Sequence, residues 1–198
     1  STHCISSAAS DVYKRQRFAE IQEKHAALTT KFSENILDAT NEYALYIEDE
    51  AELSGLPDDA KQAARAAAEK DEKPGYKFTL HFPSYFPVLQ YADNRELRAT
   101  IYRANATKAS ELGGQPAWDN TQNIVDILKL RDEEAKLLGY KNFAEVSLVS
   151  KMAQTPDQVI SFLQDLAKRA RPFAEKDLAE LRSFAQKELG IEKLEAWD

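Results

Sequence analysis

The stretch between Thr155 and Gly190 constrains the fold most, because it reads as one very long helix. "TPDQ" (155–158) is a compact start signal: a threonine cap, proline at the first helical position and glutamine at the third. Val159, Phe162, Leu163, Leu166, Ala170 and Phe173, then Leu181, Phe184 and Leu189, follow with mostly helical spacing. Gly190 closes the run, and Pro172 inside it predicts a kink or a one-residue break. Such a helix is about 50 Å long and gains most of its stability from packing against neighbours. The chain must therefore build other helices around it. Six glycines and seven prolines in 198 residues are too few for the turns of a sandwich or barrel. The expected fold class is mainly α, a multi-helix region with one small antiparallel β-hairpin.

From Arg17 onward Phe18, Ile21, His25, Leu28, Phe32, Ile36 and Ala39 form one stripe of an amphipathic helix. The period then changes. Tyr43, Leu45 and Ile47 share one face of a strand, and "GYKFTLHF" (75–82) alternates with Phe78, Leu80 and Phe82 on one side. These two segments are expected to pair as the hairpin. The helix inserted between them, 57–70, begins at Pro57, carries Asp58 and Asp59 at its positive end, and is rich in alanine. Its apolar face is weak, which predicts a surface position. "EKPG" (72–75) is a turn, and 83–92 a short aromatic-rich helix. Asp93, with Glu96 three residues on, predicts the cap of a helix that turns Leu97 and Ile101 inward. "LGGQP" (112–116) is the clearest break. Asn120 is expected to cap a helix carrying Ile124, Ile127, Leu128, Ala135 and Leu138, stopped by Gly139. "KNFAEVSLVS" starts a further short helix, and "EAWD" (195–198) reads as the opening of another. Val125 and Leu130 give the 120–138 helix a second apolar side. That predicts more packing partners than these residues supply.

Residues 1–16, "STHCISSAASDVYKRQ", have neither period. "DVYKRQ" resembles the translated end of a sequencing adapter, so 1–16 are expected to be a disordered, non-native leader in which His3 and Cys4 carry no meaning. The domain proper is then 17–198. A net charge of −7 argues against a nucleic-acid partner, and no apolar run approaches a membrane span. The single cysteine, Cys4, makes no internal disulfide, and no secretory signal pattern is present, which together predict a cytoplasmic location.

Chemistry is scarce. The histidines are His3, His25 and His81. Helical zinc sites need HExxH, and "HAALT" after His25 lacks both the Glu and the second His. His25 reads as a packed residue on its stripe, and His81 as a solvent-side residue at the hairpin end. Phe82, Tyr85, Phe86 and Tyr91 read as core before they read as a pocket. Asp49, Glu50, Glu52 and Asp132, Glu133, Glu134 lack the glycine and spacing of a calcium loop and read as solvated faces. No phosphate-binding glycine loop and no nucleophile elbow occurs. No catalytic residue, no metal ligand and no substrate-binding residue is assigned.

The order of four segments supplies what single residues do not. "ENILDATNEYALYIEDEAELSGLPDDA" (34–60), "GYKFTLHFPSYFPVLQYADNRELR" (75–98), "LKLRDEEAKLLGYKNFAEVSLVSKMAQTP" (128–156) and the closing "EAWD" together resemble the zinc oligopeptidases of the thimet oligopeptidase family, its bacterial branch above all. The resemblance covers about residues 17–198. It implies a mostly helical fold around a deep, narrow channel that admits short peptides. It also implies zinc held by an HExxH helix and a later Glu, with the motif's Glu activating the metal-bound water. None of that machinery maps onto a residue here. The match is to the family's N-terminal, non-catalytic half, part of the channel wall. The expected partners are short peptides and the C-terminal half of the same polypeptide. The expectation is an inactive fragment of a monomeric zinc metallopeptidase that binds no metal itself. The competing reading is a self-contained helical protein-binding module; a coiled coil is disfavoured by Pro172 and the lack of strict heptads.

Overall fold

The computed structural model describes residues 2–198, with side chains from residue 10. Its elements are α1 (Thr2–Glu42), β1 (Leu45–Ile47), α2 (Asp58–Lys70), β2 (Tyr76–Phe78), α3 (Phe82–Tyr91), α4 (Arg95–Thr107), α5 (Thr121–Leu137), α6 (Phe143–Leu148) and α7 (Pro156–Leu189). The fold is mainly α with one two-stranded antiparallel sheet, as the sequence predicts. Residues 2–16 differ from expectation: they continue α1 instead of forming irregular chain. No glycine or proline occurs before Gly55, so nothing in the local sequence stops the helix.

The chain divides into two compact units, one of residues 31–122 with 194–198, the other of residues up to 30 with 123–193. The first holds the larger core. Ile47, Leu53, Leu56, Tyr76, Phe78, Val88, Leu97 and Ile101 are buried together, flanked by Tyr43, Leu45, Tyr85 and Leu89. The hairpin register pairs Leu45 with Phe78, Tyr46 with Lys77 and Ile47 with Tyr76. Alternation places Leu45, Ile47, Tyr76 and Phe78 toward this core. On the other face the Tyr46 hydroxyl and the Lys77 ammonium both donate to Asp71. Gly75, just before β2, has φ +83°, and a Cβ there would lie 2.3 Å from the Ile47 carbonyl oxygen. Only glycine fits that approach.

Three expectations are corrected here. The pairing of 75–82 stops at Phe78, because the next backbone N–H, that of Thr79, donates to the Ser84 hydroxyl (2.8 Å). Helix α2 is not simply a surface helix: Ala64 and Ala68 are buried, because side chains this small let the helix backbone approach its neighbours closely. Helix α4 is capped by Asn94, whose side chain accepts from the Leu97 N–H (3.2 Å). Asp93 is diverted, its carboxylate taking the Ser54 hydroxyl at 2.8 Å.

Two residues stand at the start of α5, Asp119 and Asn120. Asp119 accepts from the Thr121 N–H (2.9 Å) and the Thr121 hydroxyl (2.7 Å), while Asn120 turns inward. The segment Leu194–Asp198 forms a turn, with the Asp198 N–H donating to the Glu195 carbonyl. Its Asp198 carboxylate is held by Arg95 (2.8 and 2.7 Å) and Arg98 (3.0 Å). The Trp197 ring meets Tyr102 edge-on and lies under the Arg103 guanidinium.

In the other unit α7 begins as read: Thr155 accepts from the Gln158 N–H (3.1 Å). It ends at Gly190, left-handed at φ +66°, with the Ile191 N–H reaching back to the Ala185 carbonyl. Pro172 does not interrupt it. The residues around Pro172 are exposed, so water can take the carbonyl that proline leaves without a donor.

Candidate functional site

The helix stripe of α1 places His25 opposite Arg131 of α5, whose Nε donates to His25 Nε2 at 3.1 Å. Arg131 also lies over the Phe143 ring. His25 is therefore a packed, hydrogen-bonded residue. His81 precedes α3, exposed and without a side-chain capping bond.

The acidic groups are spread among separate partners. Asp49 accepts from the Ala51 N–H in a short turn. Asp132 pairs with Lys136 one turn on. Glu133 forms a two-pronged pair with Arg17 (2.6 and 2.8 Å), which holds its carboxyl below the usual range and raises the guanidinium further. Among the described residues no three His, Cys, Asp or Glu side chains converge to hold a metal ion.

The aromatic group departs from its expected core role. Phe82 stacks on Phe86 (4.7 Å between centroids) and meets Tyr85 edge-on, but Phe82, Phe86 and Tyr91 all face outward. Only Tyr85 leans on the core. Phe82 and Tyr91 stand at the two ends of a ten-residue helix with Phe86 one turn after Phe82, and the inward positions are taken by Val88 and Leu89.

Two features of residues 31–122 escaped the sequence reading. Asn35 and Asn120 are both buried: Asn35 donates its amide to Asn120 (2.9 Å), which donates onward to the Phe32 carbonyl (3.1 Å). A polar residue on the apolar stripe of α1 was the only available signal. The second is a recess of about 220 Å³ between the end of α1, α4 and the Leu112–Trp118 loop. Among its polar lining residues, Glu42 accepts from Gln115 at 3.1 Å.

Comparison with known proteins identifies the family. The family model of peptidase family M3 matches residues 88–198, and the chain belongs to that family. It is 50% identical over 186 residues to oligopeptidase A of Salmonella typhimurium and to oligopeptidase A of Escherichia coli, covering 93% of this chain and 27% of each relative. A probable cytosolic oligopeptidase A of Arabidopsis thaliana is 40% identical over 203 residues. The chain spans about a quarter of the length of these relatives. No helix of the described residues is long and apolar enough to cross a membrane.

Proposed function

We propose that this chain is the helical, non-catalytic portion of a zinc-dependent oligopeptidase that hydrolyses short peptides in the cytoplasm, and that it forms part of the wall of the substrate channel. The observation that carries the reading is the pairing of 50% identity over 93% of the chain with a share of only 27% of the relative. Oligopeptides as substrates are carried over from the relatives' names, and zinc from the family. The residues described do not fit a zinc centre, so no hydrolytic step is derived through the metal. The metal-holding and water-activating groups are assigned to the polypeptide outside residues 1–198. The chain's own part is to hold apolar helices and the exposed Phe82–Phe86 pair beside the space a peptide would occupy.

The test has two arms. The 198-residue chain, dialysed against zinc, is expected to retain no stoichiometric metal and to leave a short quenched peptide intact. Grafted in place of the matching segment of the Escherichia coli relative, it is expected to support cleavage. One tightly held zinc with turnover by the chain alone would sink the reading. So would a folded, zinc-loaded graft that cleaves nothing.

A further inference from the structure

Helix α7 is exposed at every position from Ile160 to Arg182, and Ala185 is its one buried residue. Its two sides differ in chemistry. On one, Arg171 pairs with Glu175 one turn on, and at its edge Asp165 pairs with Arg169, which satisfies these charges within the helix in water. On the other, Phe162, Leu166, Phe173, Leu181 and Phe184 project along one stripe, each roughly half exposed or more. A helix of this length owes its stability mainly to what covers that stripe. The surface area gives the scale. The accessible surface is 14154 Å². Two separate compact bodies of half this mass would together expose only about 11,000 Å². The excess over the whole chain is on the order of 3,000 Å², enough to supply one partner's share of a permanent interface, roughly 1,000–2,500 Å².

We infer that the Phe162–Phe184 stripe of α7 is an internal seam, covered by apolar side chains of the remaining three quarters of the peptidase polypeptide. The inference rests on the proposed function and adds to it the face by which this region is joined. The occupant follows from length, since about 73% of each bacterial relative lies outside the matched span. A second copy is disfavoured by charge, each copy bringing a net −7 to the contact.

The experiment places Leu166→Asp and Phe173→Asp, singly and together, in the 198-residue chain and in the graft onto the Escherichia coli relative. Lys168→Glu on the charged side is the control. In the graft, the double variant is expected to melt at least about 5 °C lower and to be cut by protease within α7, while the control is unchanged. In the 198-residue chain, sedimenting as a monomer, the same changes should leave the melting of residues 31–122 unmoved. Equal melting of parent and double variant in the graft would overturn the seam. So would a dimer of the 198-residue chain that the double variant dissolves, which would assign the stripe to a second copy. A graft that stays unfolded while the chain alone is soluble would also count against it. The readouts are stability and mass, so a graft that is stable, sensitive to the double variant and inactive would contradict the proposed activity and leave the seam standing.

Discussion

Residues 43–101 and residues 160–182 have similar apolar content and opposite fates. In the first region Phe78, Leu53, Val88 and Ile101 are at most 2% exposed, and short elements meet around them. In the second, one regular helix carries Phe173 at 73% exposure. The difference lies in how the chain folds back. Turns at 71–75 and 92–94, with Gly75 where no side chain fits, return the chain to the same core several times. Helix α7 has no turn inside it, so its stripe can be covered only by something else. Regular secondary structure is thus a poor guide to which part of this chain is self-sufficient.

The contrast can be broken or sharpened by substitution. Phe78→Ala should cost about 3–5 kcal/mol, whereas Phe173→Ala in the chain alone should change stability by less than about 0.5 kcal/mol. Urea unfolding followed by tryptophan fluorescence reads the first region specifically, because both tryptophans, Trp118 and Trp197, lie in residues 31–122 with 194–198. Equal costs would erase the distinction. Next in size is Asn120→Ala, which leaves the buried Asn35 amide without its acceptor and should cost about 1–3 kcal/mol by the same measurement. Asn94→Ala removes the α4 cap and should cost about 1 kcal/mol. A comparable loss from Asp93→Ala with none from Asn94→Ala would return the cap to Asp93.

The smallest effect concerns acid. Arg95 first, then the Glu195 N–H and Arg98, hold the Asp198 carboxyl far below the ordinary carboxylate range. A depressed folded value means the unfolded chain takes up the proton first, near pH 4. The stabilisation is therefore fully present above about pH 5 and drains away as the pH falls below 4. Asp198→Asn should lower the urea midpoint at pH 7, and the gap to the parent should narrow steadily below pH 4. A gap that stays constant with pH would remove the ion pair from the account.

Much of this was legible in the sequence. The α7 boundaries followed from Thr155, Gln158 and Gly190, whose chemistry is local. The hairpin followed from alternation at 43–47 and 75–82, although the pairing ends at Phe78. Long-range competition hid the rest. Asp93 and Asn94 are equally good caps, and only Ser54, 39 residues earlier, decides between them. Asn120 sits where a cap of α5 is expected, and its bonds to Asn35, 85 residues earlier, and to Phe32 are long-range. The alanines of α2 looked too weak to bury, because the reading weighed hydrophobicity and not how closely a small residue lets two backbones approach. Function entered only through family resemblance.

Residue-resolved hydrogen exchange on the 198-residue chain tests the central contrast most directly. The account predicts strong protection at Tyr76–Phe78 and Leu97–Ile101, near the global unfolding limit, and fast exchange across Phe162–Leu181. Protection in α7 equal to that of β2 and α4, in a chain that sediments as a monomer, would contradict it.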